Sequence, residues 1–308
     1  MCIRDRINAA EPVDAAVIDA FERFFGAKHG LRKGVVFPTY GLAESTVLVC
    51  GNGVARCRID ADSLRERRCV SSEEGVALVG CGAPRGDRDV TVKIVRINDD
   101  DQGEEVLGEN CVGEIWVRSP SIARGYWGVE DPSFGASIDG ESGYLRTGDE
   151  GFFRDGELYV CGRRKDLVIL RGKNHYPQDL EATWERAARA TFRPGCSAVV
   201  SLGKDRVQIV CEARKNCPDL ADACSVARNA VQKAHGIAIG KATVVSQREL
   251  IKTSSGKVAR RACRDALAQD AFTVLYTSEV SEKNTCEKAL SPAERARLRA
   301  TLLSLIHI

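Results

Sequence analysis

Apolar residues at Val13, Val17, Phe21, Phe24 and Phe25 recur at helical spacing and predict a helix over 13–25. The stretch GVVFPTYGLAESTVLVCG then reads as a short buried strand, a Pro-Thr-Tyr-Gly turn and a second apolar run. Residues 52–76 are polar and irregular, with one short helix at DADSLRERR. From VALVGCG onward the period falls to two. DVTVKIVRI and GEIWVRS alternate as strands, with a hairpin-type turn at Asp99–Gly103 between them. Residues 80–160 therefore predict a small antiparallel β unit, and GELYVCGRRKDLVILRG adds two strands around a basic turn. Pro177 then opens a helix over 179–190. Strands over 197–201 and 208–213, a helix over 220–235 and a strand over 241–246 follow. That alternation makes a compact α/β unit of domain size. Residues 278–302 are charged and helix-prone, as a linker would be.

Composition narrows the function classes. The 308 residues are 44% hydrophobic and 29% charged, an ordinary globular balance. Lys+Arg is 45 and Asp+Glu is 43, a net charge of +2 that gives no footprint for nucleic acid. The basic clusters at Arg65–Arg68 and Arg260–Arg264 read as solvated helix faces. Thirteen cysteines contain no Cys-x-x-Cys pair, and only four histidines are present, so zinc and thioredoxin readings lack their spacing. The odd count suggests reduced, mostly buried thiols and a cytoplasmic location. No apolar run reaches the length of an integral membrane segment.

Both ends look foreign to the rest. MCIRDR and LSLIHI resemble translations of one transposon-type sequencing adapter read on opposite strands. Residues 1–6 and 303–308 are therefore set aside as scars, and the chain is expected to be an internal fragment of a longer reading frame.

Four stretches join glycine to well-placed polar groups. In Tyr40-Gly41-Leu42-Ala43-Glu44 the glycine lets backbone pass close to a flat ligand, and an aromatic ring could stack on a base. Glu44 could hold Mg²⁺ beside phosphates. Read alone, this is equally an ordinary turn with a surface Glu. YLRTGD (144–149) holds a tight Thr-Gly-Asp turn whose Asp149 suits a ribose diol, or merely its own backbone. GRRKDLVILRGKNHYPQDLE (162–181) offers Arg163 as a charged fork, with Lys165 and Asp166 at a tip able to absorb backbone rotation; the plain alternative is a charged hairpin. In LIKTSSGKVARRACR (250–264), Gly256-Lys257 suggests a phosphate loop. The Walker spacing fails, because Ile251 and Val258 stand where Gly and Ser or Thr belong. Lys257 is then a mobile point charge or a plain solvated lysine.

Taken in order, Tyr40–Glu44, GEIWVRSPSIARGYWG (113–128), YLRTGD, GRRKDLVILRG and KTSSGK resemble successive signature motifs of the adenylate-forming (AMP-binding) superfamily. PTYGLAES, LVGCG, GKNHYPQDLE and SSGKVARRACR look most like its fatty acyl-AMP ligases, and the irregular stretch between Cys50 and Val79 resembles the insertion of that subgroup. The resemblance implies the end of a large N-terminal adenylation domain over 7–164, with α/β layers and a distorted antiparallel β subdomain. A small α+β C-terminal lid domain over 165–275 and a linker over 276–302 follow. It implies ATP and Mg²⁺ as cofactors, a fatty acid substrate, and an acyl carrier protein whose phosphopantetheine thiol receives the acyl group. By position, Tyr40 would stack on adenine with Gly41 beside it in the nucleotide site, Glu44 would bind Mg²⁺ and Asp149 would hold the ribose hydroxyls. Arg163 would contact the nucleotide, Lys165 would be the hinge and Lys257 the catalytic lysine. Ile251 replaces the family's usual proline.

The family's Ser/Thr/Gly-rich phosphate loop would precede Tyr40, and no such stretch is present. The fragment alone is therefore expected to do little adenylation, while its parent is expected to be an enzyme. Three rivals remain: a fatty acyl-CoA synthetase, a non-catalytic fragment that docks a carrier protein, and one module of a polyketide or lipopeptide synthase.

Overall fold

The computed structural model describes residues 6–9, 13–97, 104–170, 173–201, 206–217, 219–253 and 256–280. The turn expected at Asp99–Gly103, the helix-prone stretch beyond 280 and both terminal hexapeptides, Arg6 apart, lie outside the described residues. The chain divides into two compact units, Met1–Asp179 and Leu180–Ile308.

The first unit opens with β1 (Arg6–Asn8), α1 (Ala15–His29) and β2 (Val36–Pro38). α1 starts where the Asp14 carboxylate accepts from the Ala16 N–H at 2.7 Å and stops at Gly30, whose φ of 66° suits glycine. β1 and β2 pair in parallel. The second apolar run becomes a single 3-10 turn at Ala43–Ser45 followed by β3 (Cys50–Gly51). The stretch read as irregular holds more order than expected. β4 (Arg56–Ile59) and β5 (Val76–Val79) pair antiparallel around α2 (Ala61–Arg65). Arg56 and Arg58 stay exposed while Ile59 is buried, so the strand carries too few apolar residues to announce itself.

β6 (Ala83–Pro84) pairs with β3 and leads into the main sheet. That sheet consists of β7 (Thr91–Val95), β8 (Gly113–Arg118), β9 (Ala136–Ile138), β10 (Glu141–Arg154) and β11 (Glu157–Arg163). Its order is β11-β10-β8-β7, all antiparallel, with β9 on β10. One face buries Ile94, Ile115, Val117 and Leu158 with Tyr40 and Val49. Another cluster joins Phe152 and Tyr159 to Ile59 and Leu64 of the 50–79 stretch. β12 (Val168–Leu170) and β13 (Lys173–His175) form a small hairpin before α3 (Pro177–Ala187).

The second unit contains β14 (Phe192–Ser201), β15 (Val207–Ala213), α4 (Leu220–His235), β16 (Ile239–Val245), α5 (Arg260–Ala268) and β17 (Val274–Glu279). The sheet order is β14-β15-β16-β17. β15 and β16 run parallel, and α4 makes the crossover that such a pair requires. All seven β15 residues are buried, as expected of a central strand covered on both faces. β17 pairs with β16 through Glu279, into residues first assigned to a linker. The cysteines among the described residues are free, and most are buried. No helix of the described residues is long and apolar enough to cross a membrane.

Candidate nucleotide-binding site

Tyr40 and Gly41 lie at the end of a short backbone ladder. The Tyr40 N–H donates to Cys50 O at 3.0 Å, and Val49 and Cys50 donate back to Tyr40 O. A Cβ at position 41 would stand 1.6 Å from Val47 O, so only glycine permits this crossing. The Tyr40 hydroxyl reaches the sheet and donates to Asp149 Oδ2 at 2.7 Å. Arg163 Nε donates to Asp149 Oδ1 at 3.0 Å from β11, where Asp149 and Arg163 are register partners. Tyr40, from a distant part of the chain, and Arg163, from the neighbouring strand, thus meet on the Asp149 carboxylate.

Thr147-Gly148-Asp149 is not the free-standing turn expected from sequence. It lies inside β10, where pairing with β8 shifts register between Arg146 and Glu150. The shift is stabilised locally. Gly148 adopts φ 70° and donates its N–H to Glu114 Oε1 at 3.0 Å. Thr147 Oγ1 donates to Ile115 O at 2.7 Å and accepts from the Asp149 N–H at 3.1 Å. Such an irregularity re-aims a side chain out of the pleat, a common use of bulges near sites. Glu114 and Thr147 lie inside stretches singled out by sequence, but neither was given a role, since that role depends on this cross-strand register.

The charges are complementary. Asp149 is 13% exposed and Arg163 63% exposed, so the anion is sheltered and the cation faces water. The Asp149 charge raises the Arg163 guanidinium further and keeps it a cation. Burial, and then the Asp149 charge, push the Tyr40 phenol well up, so it stays a neutral donor. A carboxylate offers about four acceptor sites. Two are used here, leaving capacity for the paired hydroxyls of a ribose. The Tyr40 ring is only 7% exposed and packs in the core, so its clearest role is to orient Asp149.

Glu44 sits in the 3-10 turn, and its Oε1 accepts from the Tyr126 hydroxyl. That bond is the main cause pushing the Tyr126 phenol up to about 12. Tyr126 packs edge-on against Phe134 and belongs to the loop 124–134, which lines an open concavity of about 540 Å³ with Trp127 fully exposed. Among the described residues no three metal-capable side chains gather. A single carboxylate nevertheless fits Mg²⁺, which keeps waters and substrate phosphates as its other ligands. Lys165 is the exposed middle residue of a one-turn helix, Arg164–Asp166. Its charge helps lower the Asp131 carboxyl, although the Ser133 hydroxyl contributes more.

Lys257 belongs to the second unit, half-buried beside α5. Lys252 and Val258 form a β-bridge that closes its loop. The Thr253 N–H donates to Lys257 O at 2.8 Å, and the Lys257 N–H donates to Thr253 Oγ1 at 3.2 Å. Gly256 takes φ 86°. The lysine is therefore displayed by a short closed loop rather than a Walker-type turn.

Comparison of the whole chain with known proteins gives matches in both halves. Residues 3–127 match the family described as AMP-binding enzyme, and residues 165–275 match the Disco-interacting protein 2-like AMP domain. The medium-chain-fatty-acid–[acyl-carrier-protein] ligase JamA of Moorena producens is 35% identical over 85% of this chain and 46% of its own. The long-chain-fatty-acid–AMP ligase FadD28 of Mycobacterium tuberculosis is 34% identical over 87% of this chain and 49% of its own. A solved structure from a study of fatty acyl-adenylate ligases of E. coli and L. pneumophila superposes with a TM-score of 0.72 at 25% identity. It covers 87% of this chain and 48% of that one. The chain belongs to the AMP-binding, adenylate-forming superfamily. The relatives named here are fatty acyl-AMP or fatty acyl-carrier-protein ligases, and the chain spans about half their length.

Proposed function

We propose that the complete protein is an ATP-dependent ligase that converts a fatty acid to its acyl-adenylate and passes the acyl group to the thiol of an acyl carrier protein. The convergence of Tyr40, Asp149 and Arg163 supports this reading most, because it places an oriented carboxylate beside a cation, as a nucleotide's sugar and phosphates require. Asp149 accepts from the ribose hydroxyls, and Arg163 contacts the nucleotide from the same corner. Gly41 keeps the backbone low enough for a flat base to approach. Glu44 holds Mg²⁺, which neutralises phosphate charge when bound. Lys165 is the hinge at the start of the lid domain, residues 165–275.

In the first step the fatty carboxylate attacks the α-phosphorus, acyl-AMP forms and pyrophosphate leaves. Lys257 supplies a cation where negative charge builds on the α-phosphoryl oxygens. A preplaced charge of this kind lowers a phosphoryl-transfer barrier without reorganising at the moment of reaction. In the second step a thiol attacks the acyl carbon and AMP departs.

The test uses the complete reading frame with ATP, Mg²⁺ and fatty acid, with products resolved by mass spectrometry. Acyl-AMP should accumulate without a thiol and be consumed on adding holo carrier protein. Faster consumption by coenzyme A would make the protein an acyl-CoA synthetase instead. Absence of acyl-AMP would leave only carrier docking.

A further inference from the structure

The Lys257 loop rests on two buried carboxylates to which the sequence reading gave no role, Glu212 outside every motif and Glu181 at the end of GKNHYPQDLE. Glu212, on β15, is 1% exposed. Its Oε1 accepts from the Leu250 N–H at 3.0 Å, and its Oε2 accepts from Arg193 Nη1. Glu181, on α3, is 7% exposed. Arg260 grips it with both arms of the fork, Nε to Oε1 and Nη2 to Oε2, each at 2.7 Å. Oε1 of Glu181 also accepts from the Val199 N–H at 2.9 Å.

The placement of these bonds follows the chain. Leu250 enters the loop and Arg260 leaves it, with Lys257 between them. Each foot is thus tied to a buried anion, and each anion is shared between an arginine and a backbone N–H. Between the feet, Ala259 N donates to Ile251 O at 2.9 Å, and Lys252 Nζ donates to Gly195 O at 2.8 Å. Burying two carboxylates is costly unless each is paired and hydrogen-bonded, so apolar contacts alone would have served if only a stable core were needed here. The arrangement fixes direction instead. Bidentate pairs and backbone bonds set the angle as well as the distance of what they hold.

We propose that Glu212 and Glu181 are positioning residues for Lys257, holding the entry and exit of its loop so that the ammonium is presented in one place. The inference rests on the role given to Lys257 above. Misplacement of a reacting group by about 1 Å can cost roughly 100-fold in rate, so loosening either foot should slow adenylate formation while leaving the fold in place.

A double-mutant cycle on the complete protein, run as single turnovers with enzyme in excess, separates positioning from general damage. Glu212→Gln keeps an acceptor for the Leu250 N–H and removes the charge that Arg193 needs. It should slow acyl-AMP formation by roughly 10- to 100-fold. In a Lys257→Ala background it should add no further loss, because its effect runs through that lysine. Arg260→Lys keeps the charge but loses the two-armed grip, and should show the same non-additivity with a smaller first effect. It decides the matter if Glu212→Gln does not fold. Equal losses in both backgrounds would overturn the inference and leave the Lys257 assignment standing. Unchanged acyl-AMP formation in Lys257→Ala alone would overturn both.

Discussion

Asp149 shows what a single residue can and cannot disclose in sequence. Its identity as a candidate was readable from the Thr-Gly-Asp triplet, and so were Tyr40 and Arg163 from their own short stretches. That all three share one carboxylate was not readable, because it depends on the β10–β11 register and on Tyr40 reaching across from another element. Glu141 makes the same point away from the site. Its carboxyl is held down to about 2, first by the Tyr144 hydroxyl and then by Lys93. Nothing in the sequence marks that pair. The folded value lies below the unfolded carboxylate value of about 4.3, so the folded state sheds this proton first. The group therefore stabilises the fold above that range and loses its contribution as pH falls toward about 2. Glu141→Gln should lower the thermal midpoint near neutral pH, and the gap to the unaltered chain should close on acidification. A gap that is constant with pH would refute the ionic account.

At the scale of elements, legibility followed the strength of the pattern. α4 covers Leu220–His235, the range predicted for it, and the structure adds its ends: Asp219 caps the start and Gly236 closes it at φ 70°. β14 extends from Phe192, earlier than expected, because Arg193, Pro194 and Gly195 mask its start and its pairing shifts register there. β4 was missed for its alternating arginines, whereas the Arg260–Arg264 cluster, read as a helix face, does open α5. α3 contributes Trp184, fully buried and stacked on Phe192 with ring centroids 5.4 Å apart. Trp184→Ala should cost about 3–5 kcal/mol. Hydrogen exchange should show lost protection in β14–β16, while peptides from β8 and β10 keep theirs. Uniform loss across both units, or none, would contradict the separate core assigned to the second unit.

At the scale of the molecule, two family matches fall on the chain in sequence order, and the relatives extend over about twice its length. Membership of the superfamily was legible at this scale because several modest motifs occur in a fixed order, improbable as a set though weak alone. The positioning roles proposed for Glu212 and Glu181 stayed hidden because these residues act from a strand and a helix distant in sequence from Lys257, although Glu181 itself closes a quoted motif. The central claim is that the Asp149 corner serves an adenylate-forming reaction. Fatty-acid-dependent exchange of labelled pyrophosphate into ATP, measured on the complete protein and on Asp149→Asn, tests it most directly. The account predicts exchange that needs fatty acid, with the apparent ATP affinity weakened by about 10-fold or more in the variant, as expected for a lost charge-assisted hydrogen bond. Exchange that is absent from the unaltered protein, or unaffected by Asp149→Asn, would contradict it.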